Sequence, residues 1–241
     1  MLVWTGGIIY ILVLFPVTFI IWLIALPFDK DRRVIHRILI WQSQASLILL
    51  PVKSFSKEGR AKEVKGTTYV VISNHQSIID IIFINTLGYR FKWISKIENN
   101  KIPVLGWYLR MADYISVDRG SEESKVAMIE ECLRCLKNGT SIMIFPEGTR
   151  SLNGEIGFFK RGAFQLAIQA KVPLLPLVID GTGGILPKHG LIFGTGHEVK
   201  IKILDPVMPE TFGTENPDEL ASRLSSIMKE TLKEMRNQSG K

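Results

Sequence analysis

The chain has little cysteine, no charge along its first stretch and no nucleotide-binding fingerprint, and each lack excludes something. Two cysteines in 241 residues cannot frame a disulfide-dense secreted domain. Glycine at 20 and proline at 11 exclude a collagen-like or low-complexity chain. With 46% hydrophobic and 22% charged residues, disorder is excluded as the main state. Neither a Rossmann nor a P-loop fingerprint occurs. Residues 1–28 hold no Lys, Arg, Asp, Glu or His, and the first charged side chain is Asp29. A helix of that length would run about 42 Å, and roughly 20 apolar residues suffice to cross a bilayer. The run lacks a basic start and an A-x-A-like cleavage site, so it reads as a retained membrane segment rather than a cleaved signal peptide. Pro16 predicts a kink or a break in it. Trp4, Tyr10 and Trp22 suit the headgroup level.

What is present is an excess of positive charge. Lys and Arg number 30 against 23 Asp and Glu, a net +7, with a pI near 9.4 and a mean hydropathy of +0.17. After the polar turn Asp29–Arg33, Val34, Ile38, Trp41, Ala45 and Ile48 recur on one helical face, closed by Pro51. That helix is too polar to span alone. It reads as an interfacial helix or as the return arm of a hairpin, and whether residues 1–28 span or re-enter stays open. Residues 29–60 carry seven Lys/Arg, Arg60 among them, against three acids, which is +4 of the total +7. A basic excess beside a membrane segment favours the cytoplasmic, anionic face of the cell membrane. With no nucleic-acid motif present, nucleic acid is not expected as a partner.

Further along, apolar β-branched runs alternate with helix-length segments. Strands are predicted at 69–73, 91–97, 114–117, 141–145, 174–179 and 199–204. Helices are predicted at 77–87, 103–111, 121–138 and 162–170. Val126, Ile129, Leu133 and Leu136 form the buried stripe expected of the helix at 121–138. A terminal helix is expected to bury Leu220, Leu224, Ile227, Thr231 and Met235. The class is α/β, a mixed, largely parallel sheet flanked by helices, with an N-terminal membrane-embedded helical hairpin. The division expected is a two-helix anchor at 1–56 and an α/β domain at 57–241.

Two short motifs follow predicted strands directly, where ligand sites of α/β sheets gather. In Asn74-His75-Gln76-Ser77-Ile78-Ile79-Asp80, His75 and Asp80 stand about 140° apart on a continuous helix. They can meet if His75 lies in the turn before the helix and Asp80 in its first turns. A carboxylate accepting from one ring nitrogen then fixes the tautomer and leaves the other nitrogen to take a proton. The pattern alone equally describes a capping histidine and a surface aspartate. In Phe145-Pro146-Glu147-Gly148-Thr149-Arg150-Ser151, Gly148 permits close backbone approach and Arg150 offers a planar fork to a phosphate. Glu147 cannot favour phosphate by charge; it is expected to hold Arg150 or a neighbouring amide. Arg119 is a second phosphate candidate, or a partner for Asp118.

Taken together these blocks resemble the glycerolipid acyltransferase family. The first block, N-H-x4-D, is matched by Asn74, His75 and Asp80, and the third by Phe145–Ser151 in full. The second is matched at Arg119, with Asp113 where glycine is usual. The fourth is matched by Val172, Pro173, Pro176 and Ile179. The resemblance covers residues 65–185. It implies acyl transfer from a thioester of acyl carrier protein or coenzyme A to the sn-2 hydroxyl of a lysophosphatidic acid, giving phosphatidic acid among membrane lipids. His75 would be the general base, oriented by Asp80. Arg119 and Arg150, with Glu147, Gly148 and Thr149, would form the phosphate site. Lys160, Pro176 and Thr182 are candidates for an acceptor or acyl pocket, against a solvent-facing Lys160 and a plain loop at Thr182. No cofactor or metal is expected, because Cys132 and Cys135 lie inside a predicted helix without a second ligand pair. His189 and His197 are expected in a loop or hairpin, at the surface rather than as ligands. Acyl transfer to another acceptor, glycerol-3-phosphate or a lyso-aminolipid, and membrane lipid binding without catalysis remain the rival readings.

Overall fold

The structure is a computed structural model that describes residues 2–59 and 67–239; Arg60 of the basic stretch lies outside the described residues. In chain order the helices are α1 (Leu2–Ala25), α2 (Arg33–Ser46), α3 (Asp80–Asn85), α4 (Leu105–Met111), α5 (Glu122–Lys137), α6 (Gly162–Ala170), α7 (Thr182–Ile185) and α8 (Pro217–Ser239). The strands are β1 (Val52–Glu58), β2 (Val70–Ser73), β3 (Phe91–Lys96), β4 (Ile115–Val117), β5 (Ser141–Ile144), β6 (Leu174–Asp180) and β7 (His197–Ile203). The chain forms two compact units, residues 1–50 with 81–131, and residues 51–80 with 132–241.

The second unit holds strands in the order β1-β7-β6-β2-β5. β2 pairs parallel with β5 and β6, and β1 parallel with β7; β6 and β7 are antiparallel. Central strands buried on both faces read as continuous apolar runs. Val70, Val71 and Ile72 of β2 and Leu174, Leu175, Leu177, Val178 and Ile179 of β6 are at most 1% exposed. Helix α6 packs on β2, and α8 on β6 and α6. The class is therefore α/β with a mixed, mostly parallel sheet flanked by helices. Strand β1 is an edge strand, read in the sequence only as a basic connection. Most of its residues are exposed, so no apolar alternation marks it, and its pairing with β7 makes it a strand. The division expected between residues 56 and 57 falls inside it. His197, expected in a loop or hairpin, opens β7, which runs antiparallel to β6.

In α8 the buried face carries Leu220, Leu224, Met228, Leu232 and Met235, whereas Ile227 is 45% exposed. At about 100° per residue, Ile227 falls just outside the arc centred on Leu224 and Met228. In α5 the buried residues are Cys132, Cys135 and Leu136, and Val126 is exposed. The two thiols join Leu136 of the expected stripe on the buried face, as small apolar groups do, while Ile129 and Leu133 are half-buried.

In the first unit, β3 and β4 pair parallel, and α1 packs against α2 as a helical hairpin. Helix α1 runs through Pro16 without interruption. The hairpin is apolar on its outer face as well as its inner one. Leu12, Val13, Ile20 and Ile24 of α1 are 55–69% exposed. Val34 and Trp41 of α2, and Ile48 in the turn after it, also face outward, while Ile35, His36 and Gln42 are buried and Ile38 of the predicted stripe packs inward. The buried polar side chains are paired, Trp22 Nε1 of α1 excepted. Gln42 Nε2 donates to Thr18 Oγ1 at 2.7 Å, and Tyr10 Oη donates to the Gln42 carbonyl at 2.7 Å. His36 Nε2 lies 3.1 Å from the Tyr89 carbonyl and Nδ1 3.3 Å from Tyr114 Oη. An aliphatic outer face over an apolar core (Ile35 with Phe15, Phe19 and Ile38) that pairs its few polar side chains is the distribution expected where the solvent is hydrocarbon.

Candidate active site

The site is built where β2 and β5 end. Asn74, the first residue past β2, extends the pairing with β6 by its side chain. Nδ2 donates to the Ile179 carbonyl at 2.8 Å, and Oδ1 accepts the Ile179 N–H at 2.9 Å. The chain then turns instead of entering the predicted helix at 77. Asp80 Oδ2 accepts the N–H groups of Gln76 at 2.8 Å and Ser77 at 3.0 Å, so α3 starts only at Asp80. This turn brings His75 back over Asp80, with Nδ1 2.8 Å from Oδ2.

Asp80 is fully buried. Its Oδ1 accepts the Thr182 hydroxyl. Its four partners are His75 Nδ1, two backbone N–H groups and this hydroxyl. An ionised carboxylate offers only acceptors, and a neutral ring bonded to it through Nδ1–H keeps the Nε2 lone pair for an incoming proton.

The Phe145–Ser151 block is wrapped around that histidine. The Phe145 ring stacks on the imidazole, centroids 3.8 Å apart and planes 8° from parallel. Glu147 Oε1 accepts the His75 N–H at 3.0 Å, and Ser151 N–H donates to the His75 carbonyl at 2.7 Å. Glu147 Oε2 accepts the Gly157 N–H at 3.0 Å. Glu147 thus holds neighbouring amides, and no hydrogen bond or ion pair joins it to Arg150 among the described residues. Burial pushes its carboxyl above the ordinary carboxylate range, although both amides favour the ionised form.

The cations lie around this frame. Arg150 is half-buried, one residue before the Ser151 amide that holds His75. The Lys160 side chain crosses Gly148, whose φ of +67° suits glycine; a Cβ there would stand 3.1 Å from Lys160 Nζ. Thr149, Lys160 and Arg161 are exposed. Neither Arg150, Lys160 nor Arg161 has an ion pair with another described residue. Arg119 is exposed in the turn between β4 and α5, in the other compact unit. Pro176 is buried inside β6 opposite Ile72 of β2, and Thr182 is fully buried with its hydroxyl on Asp80. Among the described residues no three His, Cys, Asp or Glu side chains come together as a metal-ligand set. The motifs did not disclose that the Asn74 side chain continues the β2–β6 pairing or that the Gln76 amide holds Asp80, although both lie inside the first block.

A buried carboxylate orienting an imidazole, with uncompensated cations beside it and no serine or cysteine nucleophile in the dyad, fits a transferase that activates its acceptor's own hydroxyl. The chain belongs to the acyltransferase family, whose model matches residues 54–180, a little over half of it. Among its relatives is the chloroplastic 1-acyl-sn-glycerol-3-phosphate acyltransferase BAT2 of Brassica napus, 36% identical over 76% of this chain and 53% of that protein. The chloroplastic enzyme LPAT1 of Arabidopsis thaliana is 38% identical over 67% of this chain and 46% of its own length. The alpha enzyme of Homo sapiens is 32% identical over 78% and 69%. The chain spans about half the length of the two plant relatives. The crystal structure of the 1-acyl-sn-glycerophosphate (LPA) acyltransferase PlsC from Thermotoga maritima superposes with a TM-score of 0.83 at 28% identity, over 98% of this chain and 93% of that one.

Proposed function

We propose that this chain transfers an acyl group from an acyl thioester to the sn-2 hydroxyl of 1-acylglycerol-3-phosphate, making phosphatidic acid for phospholipid synthesis. The observation that carries the reading is the His75 Nδ1–Asp80 contact of 2.8 Å. It leaves Nε2 as the base. Nε2 takes the hydroxyl proton as the acceptor oxygen attacks the thioester carbonyl. The tetrahedral intermediate then expels the thiolate, the C–S bond breaks, and the imidazolium returns the proton to sulfur. The products are the new ester and a free thiol, with no acyl-enzyme. General base catalysis of this kind contributes about 10²–10⁴-fold. Arg150, with Lys160 beside Gly148, draws in the acceptor's phosphate and so sets which hydroxyl meets His75; Arg119 is proposed for the same anion. The thioester is carried by acyl carrier protein or coenzyme A, and no cofactor is required.

The hairpin supports work at a membrane. Its outward aliphatic face suits lipid, and the acceptor's tail stays in the bilayer, each buried CH₂ being worth about 0.8 kcal/mol. The basic stretch after α1 favours the cytoplasmic face of the cell membrane. The test is thiol release by the purified chain with lysophosphatidic acid and each donor in turn, against a panel including glycerol-3-phosphate and an unphosphorylated lysolipid. His75→Ala should abolish release to within background. Near-normal transfer by that variant removes His75 as the base, and no release with any pair removes the reading.

A further inference from the structure

The residue after the base is gripped by a side chain from the last turn of the last helix. Arg236 of α8 donates to Asp180 through Nε to Oδ2 at 3.1 Å and Nη2 to Oδ1 at 3.0 Å, a bidentate pair at the end of β6. The same Nη2 donates to the Gly154 carbonyl at 2.9 Å, and Nη1 reaches Glu155 Oε1 at 2.5 Å. Gln76 Nε2 donates to the same two oxygens, Asp180 Oδ1 at 3.0 Å and the Gly154 carbonyl at 3.1 Å. Arg236 and Gln76 are therefore clasped through a shared pair of acceptors.

Gln76 leads directly to the dyad. It is 3% exposed, and its backbone N–H is one of the donors on Asp80 Oδ2. Its Oε1 lies 3.4 Å from the Thr182 hydroxyl, the group that donates to Asp80 Oδ1. The loop at 154–157 is held from its other end by Glu147, which takes both the Gly157 and His75 amides. So the clasp holds Gly154 at one end of a loop whose other end, Gly157, shares Glu147 with the His75 amide. An arginine suits this place, since its fork serves four acceptor oxygens on three residues at once, which an ammonium cannot do in fixed directions.

We infer that Arg236 is a positioning residue for the His75–Asp80 dyad, acting through Asp180 and Gln76 on the shell of Asp80 rather than on either substrate. The inference rests on the proposed role of His75. Steady-state thiol release by the full-length chain in detergent micelles is the first measurement. Arg236→Ala should lower kcat about ten-fold while both KM values stay within about two-fold, because the base loses alignment and the substrates lose no contact. Asp180→Asn, which keeps the volume and one acceptor, should act in the same direction if the arginine variant folds poorly. The second measurement needs no turnover. The ¹⁵N shifts of the His75 ring, assigned by loss of its signals in His75→Ala, should report Nδ1–H alone in the parent chain and a tautomer mixture in Arg236→Ala. Unchanged kcat in a folded Arg236→Ala, a loss confined to KM, or unchanged ring shifts would each overturn the inference. If the parent chain transfers no acyl group, the functional reading fails and the ring shifts alone decide the positioning.

Discussion

At the scale of single residues, Asp80 separates charge from shape. Asn in its place can still accept the His75 ring and the two amides with its carbonyl, and turn its NH₂ to the Thr182 oxygen, which can accept. Asp80→Asn should therefore change the urea midpoint little, yet lower thiol release by about 10²–10⁴-fold, since the imidazolium loses its counter-charge. Parent-like activity in that variant would reduce Asp80 to a cap. Glu147 makes a second case, in pH. Its folded pKa is raised by burial, so over the window from the ordinary value near 4.5 upward the native state binds more protons than the unfolded one. Stability from this group is present at the acid end and is lost as pH rises through the window. Glu147→Gln abolishes that titration and leaves one of the His75 and Gly157 amides without an acceptor, a cost of about 1–3 kcal/mol. The stability gap between parent and variant should narrow as pH rises from 4 to 7 in a urea titration series; a gap that widens contradicts the assignment.

At the scale of elements, α7 is a single turn with one task, to put Thr182 on Asp80. It exists because Gly181 takes a φ of +94° and passes the β7 backbone closely. A Cβ at Gly181 would fall 1.8 Å from the Glu198 carbonyl oxygen. Gly181→Ala should cost on the order of 3 kcal/mol and lower transfer as well, because the turn must move off Asp80. An unshifted urea midpoint would show that the β6–β7 connection yields more readily than this close approach implies. The hairpin of α1 and α2 obeys a different rule. Its periodic stripe in α2 was legible, but the direction of the stripe was not. Val34, Trp41 and Ile48 face out because Ile35, His36 and Gln42 take the places against neighbouring elements of their own unit.

At the scale of the whole molecule, the chain leaves its first unit at residue 50, returns to it at 81 and leaves again at 131. The anchor-then-enzyme division expected from composition is thus interleaved: the hairpin shares a unit with β3, β4 and α4. Membrane attachment is tested on the full chain. Replacing Leu12 and Ile20, 62% and 55% exposed on α1, by Lys places two charges where each costs about 2.5–3.5 kcal/mol at the centre of an inserted helix. The doubly substituted chain should leave the pellet when sedimented with anionic phosphatidylglycerol vesicles, while the parent chain stays with them. Equal sedimentation of the two would exclude α1 as the anchor.

Sequence alone determined the parts of this protein whose partners are near neighbours. The uncharged run is a property of consecutive residues, and the meeting of His75 with Asp80 needs only a turn of five residues. The buried strands announce themselves because both faces are covered. Tertiary structure decided the rest. The Asn74–Ile179 pairing, the Gln76–Asp180 contact and the Thr182–Asp80 hydrogen bond join residues more than 100 positions apart. Their geometry is set by the register between β2 and β6, which no local pattern encodes. The same holds for Arg236, for the exposed edge strand β1, and for which arc of α2, α5 and α8 turns inward. Periodicity places residues on a face, and only the surroundings of that face settle whether it meets protein, water or lipid.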